Sequence, residues 1–350
     1  MRRTGAVIAF ACMCVCGGEA SYPLWDGRQS VSEYAELTGL DISRVIDLGN
    51  GVTIEFRLVP AGKYIMGVEE PDQPWVWGSI TGLFAVIIVV MVAFVIIRSI
   101  RRHRFQYSLR WLVGVVLVIA GGEYAFIKWY KADIAQGTWA PPFSPAHEVT
   151  INRPFYMSKC EITQGQYEKI MNDNPSNNIG DKLPVDLVSW CDAREYCRIL
   201  TEKSGVKVRL PSESEWEYAC RAGTRSLYYN GETESDLALI AWYDENSKYK
   251  THSVGQKKAN AFGLHDMLGN VAEICEDDWH YDYKMAPSNE HPWVENARLG
   301  DIVVRGGSFS ESAIDCQCAA RHGGLVNWRG ETRKVRFIGN QGFRIVMELK

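Results

Sequence analysis

The chain has 350 residues, with 38 lysines and arginines against 42 aspartates and glutamates for a net charge of −4. That balance, with basic residues massed in one short cluster, argues against nucleic acid as a partner. The 31 glycines and 12 tryptophans point to a loop-rich, aromatic-stapled domain rather than a bundle, and 10 cysteines are many for a reducing compartment.

Residues 1–20 read as a secretory signal: Arg2 and Arg3, an apolar run from Ala6 to Val15, then Gly17, Gly18 and Ala20. Cleavage is expected after Ala20. Cys12, Cys14 and Cys16 raise the option of a lipid anchor, but the residues before each fit that signal poorly. Residues 21–75 begin the globular part, helical near Ser32 to Leu37 and alternating as a strand from Val52 to Leu58.

Residues 76–130 read as a transmembrane hairpin. Val76 to Ile97 is almost wholly apolar, and a second run extends from Leu109 to about Ile127. Trp75, Trp77, Trp111, Trp129 and Tyr130 sit at the ends, where amphipathic rings favour the interface. Arg98, Arg101, Arg102, His103, Arg104 and Arg110 lie between the runs, which puts the turn in the cytoplasm and both outer ends on the opposite side. The globular domain is then extracytoplasmic, periplasmic or at the cell surface, which agrees with an N-terminal export signal.

The main part of the domain spans 131–350. Pro141, Pro142 and Pro145 mark a linker, and Glu148 to Met157 reads as one strand. Thr163 with Gln166, Ser189 with Asp192 and Ser212 with Glu215 predict capped helix starts, and Gly205 and Gly223 predict helix ends. Asp236 to Tyr249 reads as a polar-aromatic loop, and Glu276-Asp277-Asp278 as a solvated acidic turn. Trp216, Tyr218, Trp242, Trp279 and Phe343 are expected in the core.

The chain is organised around Gly263-Leu264-His265-Asp266-Met267-Leu268-Gly269-Asn270-Val271-Ala272-Glu273. Gly and Asn tolerate left-handed backbone, so a tight reversal is expected at Gly269-Asn270. Asp266 and Glu273 bracket it with carboxylates, and hard oxygens on a compact loop suit Ca²⁺. The bland alternative is a turn held by Asn270 hydrogen bonds without metal.

Around this stretch lie Pro60-Ala61-Gly62 to Met66-Gly67, His147-Glu148-Val149, Phe155 to Thr163, Leu183-Pro184-Val185 and Arg209-Leu210-Pro211-Ser212-Glu213 to Ala219. Arg305-Gly306-Gly307-Ser308-Phe309, Cys318-Ala319-Ala320-Arg321 and Gly342-Phe343-Arg344 follow it. This ordered series resembles the formylglycine-generating enzyme (sulfatase-modifying factor) family, over about residues 48–67 and 144–347. The resemblance implies an α+β fold, C-type-lectin-like with little regular secondary structure, here interrupted by the hairpin where family members have a short loop.

The resemblance also assigns sites. It implies Ca²⁺ held by side-chain oxygens of Asp266 and Glu273 and carbonyls of Gly269 and Val271. It implies a disulfide between Cys220 and Cys318; the partner position of a second one, from Cys197, is Ile345. Cys160, Cys191 and Cys275 take no family role and read as buried thiols. Active members bind Cu(I) with two cysteines, soft sulfur for a soft ion. The first of those positions is Glu311 here, and the second, Cys316, is in register from one side only. A separate departure is Ile274, where the family has Trp.

Three functions are therefore open. One is oxidation of a cysteine in a sulfatase-type Cys-x-Pro-x-Arg segment to formylglycine, with Cys316 catalytic and copper as cofactor. Another is a membrane-tethered module that binds a protein or peptide partner, its copper pair incomplete. The third is a different metal oxidase using Cys316 with Glu311 or His322.

Overall fold

The computed structural model describes residues 21–69, 143–295, 301–324 and 340–349. Strand β2 (Thr53–Val59) alternates as its sequence predicts, turning Ile54, Phe56 and Leu58 into the core. It pairs antiparallel with β1 (Ser43–Asp47) on one side and β5 (Phe155–Ser158) on the other. The C-terminal strand β11 (Val346–Met347) then inserts between β5 and the short β6 (Val208–Arg209), giving the order β1-β2-β5-β11-β6. A second sheet has the order β10-β7-β8-β9, with β7 (Ala272–Asp278), β8 (Ile302–Arg305), β9 (Arg321–Gly324) and β10 (Gln341–Gly342). β7 begins inside the organising stretch, so this sheet fixes the direction in which Glu273 leaves the turn.

Strand β3 (Gly62–Met66) pairs with β4 (His147–Ile151), register Gly62↔Ile151 through Met66↔His147. Just beyond, Val68 N–H donates to the Phe143 carbonyl at 2.9 Å. The described residues on either side of 70–142 are thus held together at one point. The sequence reading of one strand from Glu148 to Met157 is corrected: Asn152–Pro154 break it, and the halves β4 and β5 join different sheets. Proline lacks the ladder donor, which is why the strand cannot run through.

The helices are α1 (Val31–Thr38), α2 (Gln164–Met171), α3 (Trp190–Ser204), α4 (Glu213–Arg221), α5 (Glu234–Ile240) and α6 (Asp244–Ser247). Thr163, Ser189 and Ser212 each form a full capping box with Gln166, Asp192 and Glu215. Gly205 caps α3 in the left-handed region, whereas α4 ends one residue earlier than expected, on Ala222 at φ 45. Two helices, α5 and α6, occupy most of the stretch read as a loop from Asp236 to Tyr249. The start signal of α5 was a further capping box, Thr233 with Asp236.

Two apolar clusters fill the interior. One gathers Trp216, Tyr218, Met157, Val303 and Leu264; the other gathers Tyr34, Phe56, Tyr156, Tyr196 and Phe343. In the second, Tyr167 and Tyr196 stack at 5.6 Å between centroids and Phe343 meets Tyr196 edge-on at 5.3 Å. Aromatic pairs in these geometries add to plain area burial. Trp242 and Trp279 are only half-buried, unlike Trp216, Tyr218 and Phe343.

Among the described residues no helix is long and apolar enough to cross a membrane. The signal segment 1–20 and the hairpin 76–130 lie outside the described residues.

Candidate functional site

The organising stretch turns as its glycines and asparagine dictate. Gly263, Asp266, Gly269 and Asn270 have φ of 76, 52, 76 and 59. At Gly269 a Cβ would lie 2.3 Å from the Trp242 carbonyl oxygen, so no other residue fits there without displacing backbone. Asn270 is the hub of the reversal. Its Nδ2 donates to Glu161 Oε2 at 2.7 Å and to the His252 carbonyl at 3.1 Å, and its Oδ1 accepts from His252 N–H at 2.9 Å.

Three buried carboxylates surround this turn. Glu161 Oε1 accepts from Val271 N–H at 3.0 Å, and Asp266 Oδ2 accepts from Gly255 N–H at 2.6 Å. Glu273 accepts from Arg344 Nε and Nη2 and from Trp216 Nε1, each at 2.6 Å. Glu161, Asp266 and Glu273 are each 1 % exposed, and Arg344 is fully buried. Burial first, then the neighbouring carboxylates Asp266 and Glu273, lifts the Glu161 carboxyl well above its ordinary range. Burial also raises Asp266, against the pull of its Gly255 hydrogen bond.

The Ca²⁺ expectation can be weighed on these groups. Three carboxylates face one guanidinium, so acidic groups outnumber basic ones in the pocket, and Asp266 Oδ1 is buried with no hydrogen-bond partner. Both features fit a hard cation. Among the described residues no three His, Cys, Asp or Glu side chains converge as a ligand set. A cation here would therefore depend on backbone carbonyls, which the expected Gly269 and Val271 would supply.

The second region centres on Cys316. Gly307 lets the chain fold over it, since a Cβ at Gly307 would lie 2.6 Å from Cys316 Sγ. Cys316 is completely buried. Burial, then the charges of Glu311, Asp315 and Asp244, pushes its thiol well above the usual range. Glu311 is 8 % exposed. Burial and then Asp315 lift its carboxyl to about 7, against a weaker opposing pull from Ser308. Asp244 N–H donates to the Glu311 carbonyl at 3.1 Å, which brings the start of α6 to this place. His322 Nε2 lies 3.7 Å from Asp315 Oδ1.

Copper does not fit these residues. Cu(I) is held by paired thiolates, whereas Cys316 faces acidic groups that oppose its ionisation. The third function read from sequence, a metal site joining Cys316 to Glu311 or His322, has no converging ligand set among the described residues.

The remaining cysteines are arranged as follows. Cys220 and Cys318 are brought together, Sγ to Sγ at 3.6 Å, as neighbouring buried thiols. Burial and then Cys318 raise the Cys220 thiol well above its ordinary value. Cys191 and Cys197 point opposite ways from α3, one exposed and one buried. The expectation of a buried thiol holds for Cys275 and fails for Cys191.

A third group escaped the sequence reading. Arg305 is fully buried, pairs with Glu217, and donates to the Ala319 and Ala320 carbonyls at 2.7 and 2.8 Å. Arg321 donates to Glu213 at 2.8 Å, and Tyr283 OH donates to the same carboxylate, also at 2.8 Å. The Arg-Gly-Gly and Ala-Ala-Arg motifs are thus the two arginine staples of α4. Glu217 with Arg221, one helical turn apart at 2.8 Å, was the part of this network readable from spacing. Nor is Glu276-Asp277-Asp278 a solvated turn: it ends β7, and Asp277 accepts from Glu213 and Trp293 N–H groups. Burial, then the Glu213 charge, pushes the Asp277 carboxyl up to about 8.

This architecture has known relatives. The Chaperone protein LppX of Paenibacillus barcinonensis is 33% identical over 208 residues, 43% of this chain and 74% of that protein. The Inactive C-alpha-formylglycine-generating enzyme 2 of Bos taurus is 24% identical over 306 residues, covering 82% of this chain and 93% of that protein. The structure of PvdO from Pseudomonas aeruginosa superposes with a TM-score of 0.59 at 24% identity, over 87% of this chain and 98% of that one. That likeness supports the fold alone. Residues 110–349 match the family described as the sulfatase-modifying factor enzyme 1-like domain, and the chain belongs to this formylglycine-generating-enzyme-like family.

Proposed function

We propose that the domain binds a protein or peptide partner and does not oxidise it through a two-thiol copper centre. One observation carries this reading: Cys316 is fully buried among Glu311, Asp315 and Asp244, with a carboxylate where the resemblance calls for the first thiol. A carboxylate beside a buried thiol keeps it protonated, and a protonated thiol is a poor ligand and nucleophile. The competing reading, oxidation of a cysteine in a sulfatase-type Cys-x-Pro-x-Arg segment, draws on family membership and on the position of Cys316.

The full-length protein, supplied with Cu(I), O₂ and a Cys-x-Pro-x-Arg peptide, separates the two by mass spectrometry of the peptide. We expect the cysteine to remain unmodified. An aldehyde product that disappears in Cys316→Ser would overturn the binding reading.

Two further elements belong to this proposal. Calcium is a structural ion of the turn, held by Asp266 and Glu273 oxygens with the Gly269 and Val271 carbonyls. Residues 76–130 tether the domain to a membrane, with the globular part extracytoplasmic. Support for the tether is the two apolar runs in the sequence and the closure of Val68 on Phe143. Release of the chain by alkaline extraction of membranes would sink the tether.

A further inference from the structure

The two edges of the five-stranded sheet are finished differently. At β6, Glu348 N–H donates to the Lys207 carbonyl, so the backbone of the next residue, Val208, faces away from β11. Thr201 of α3 closes that edge: Val208 N–H donates to its Oγ1 at 3.1 Å, and the hydroxyl donates to the Val208 carbonyl at 3.3 Å.

Nothing plays this part at β1. The strand is outermost and pairs on one side only, with β2, from Ser43↔Arg57 to Asp47↔Thr53. Leu58 N–H donates to the Ile42 carbonyl at 3.0 Å, and Leu48 N–H donates to the Val52 carbonyl at 2.9 Å. Even-numbered residues therefore turn their backbone toward β2. Since the direction alternates along a strand, the N–H and C=O groups of Ser43, Val45 and Asp47 point away from the sheet. Among the described residues these groups have no backbone partner.

The side chains leave the edge open as well. Val45 is 59 % exposed and Ile42, just before the strand, 44 %, while Ile46 turns into the core. No lysine, proline or bulge, the usual devices against edge pairing, stands in β1. Its one cation, Arg44, is engaged within the chain, over the Tyr156 ring at 4.6 Å and 3.7 Å from Asp41.

We infer that β1 pairs antiparallel with β1 of a second copy of this chain, about a two-fold axis at Val45. In that register Val45 meets Val45, Ser43 meets Asp47, Ile42 meets Leu48 and Arg44 meets Ile46 of the other copy. The pairs made by Ser43, Val45 and Asp47 each exchange both N–H···O=C bonds. Asp47 Oδ1 already accepts from Gly49 N–H at 2.8 Å, which leaves Oδ2 for the Ser43 hydroxyl. Other axes match worse, because like charges directly opposite destabilise a strand pair. An axis at Arg44 opposes two guanidinium groups, and one at Asp47 opposes two carboxylates. Axes at Ser43 or Ile46 set Val45 against an aspartate, Asp41 or Asp47. The Val45 axis alone joins apolar to apolar and hydroxyl to carboxylate, so the second copy is the occupant that this edge fits. Both sheets lose their open edge in one isologous contact. The pairing holds whether the domain oxidises a peptide or only binds one.

Light scattering of the full-length protein in mild detergent, corrected for bound detergent and run over a concentration series, reads the assembly. The expected protein mass rises to twice the monomer mass. Val45→Lys, a change at an exposed position, sets two ammonium groups face to face and should shift the equilibrium toward monomer by about tenfold or more. Val45→Ile should leave it unchanged. In Val45→Cys, mild diamide oxidation should link the two copies through position 45, as mass mapping of the peptides reads. Glu55→Cys, opposite Val45 on β2, should stay unlinked, since those positions lie three strand spacings apart, roughly 14 Å. A monomer at every concentration overturns the inference. So does a dimer equally stable in Val45→Lys, or one that gives no link through position 45. If Val45→Lys does not fold by circular dichroism, the linkage map decides.

Discussion

Arg344 grips Glu273 through two nitrogens, Nε and Nη2, each 2.6 Å from a carboxylate oxygen, in a place where neither residue meets solvent. The same guanidinium also donates to the His265 and Asp266 carbonyls, at 2.9 and 3.2 Å. One side chain near the C-terminus thereby ties the organising turn to the strand end that precedes β11. Replacing it with methionine leaves Glu273 buried without its guanidinium partner. We expect Arg344→Met to lose about 3–5 kcal/mol of stability, measured by urea unfolding. A loss below 1 kcal/mol would mean that another positive group serves the turn.

Calcium should act on the same place. If the turn holds the ion, unfolding will shift to higher temperature as calcium is added, by about 2.7 kcal/mol at a hundredfold excess over Kd. Asp266→Asn removes the oxygen that lacks a partner. The shift should then disappear while the protein stays folded. An identical calcium response in Asp266→Asn would locate the ion elsewhere.

Glu311 predicts a pH slope. Its carboxyl is raised from 4.5 to about 7, chiefly by burial. Between those values the folded state holds a proton that the unfolded state has released, so stability falls as pH rises through this window. Glu311→Gln should flatten the slope and exceed the wild type at pH 8 by about 1–3 kcal/mol. Denaturant titrations at pH 5 and pH 8 measure both terms. A variant no more stable than wild type at pH 8 would show that Glu311 finds a counter-charge in the free protein.

Cys220 and Cys318 should cross-link under oxidising conditions. Their sulfurs lie 3.6 Å apart in a buried site. The bond would close a loop of nearly a hundred residues, for which chain-entropy reasoning gives about 4 kcal/mol. Mass mapping of peptides under non-reducing conditions checks the pairing, and unfolding with and without reductant checks the energy. Two alkylatable thiols after oxidation would refute it.

Local chemistry in the sequence announced a good part of this structure. The capping boxes at Thr163, Ser189 and Ser212, the left-handed corner at Gly269-Asn270 and the alternation of β2 all depend on neighbours within a few residues. The family resemblance supplied the partner of Cys220, far away in the chain. What stayed hidden depends on tertiary pairing. Glu161 joins the turn from about a hundred residues upstream, and nothing near it in sequence marks it as buried. Arg305 and Arg321 looked like motif letters until their carboxylates on α4 were in view. Asp277 looked solvated because three acids in a row usually are; two backbone donors and a strand made it interior. The half-buried Trp242 was misjudged for the reverse reason, since ring size alone says little about complete enclosure.

The pairing of β3 with β4 has a mechanical consequence. Its five matched positions and the Val68–Phe143 bond clasp both ends of the intervening segment, so the domain is indifferent to what is strung between them. Closing a loop becomes only slowly more costly as it lengthens, about 0.6 kcal/mol per doubling. The clasp works as a socket: an attachment of any length can be plugged in there or removed without rewiring the rest. Among the described residues, no strand of the two larger sheets lies between β3 and β4, so neither sheet is interrupted there.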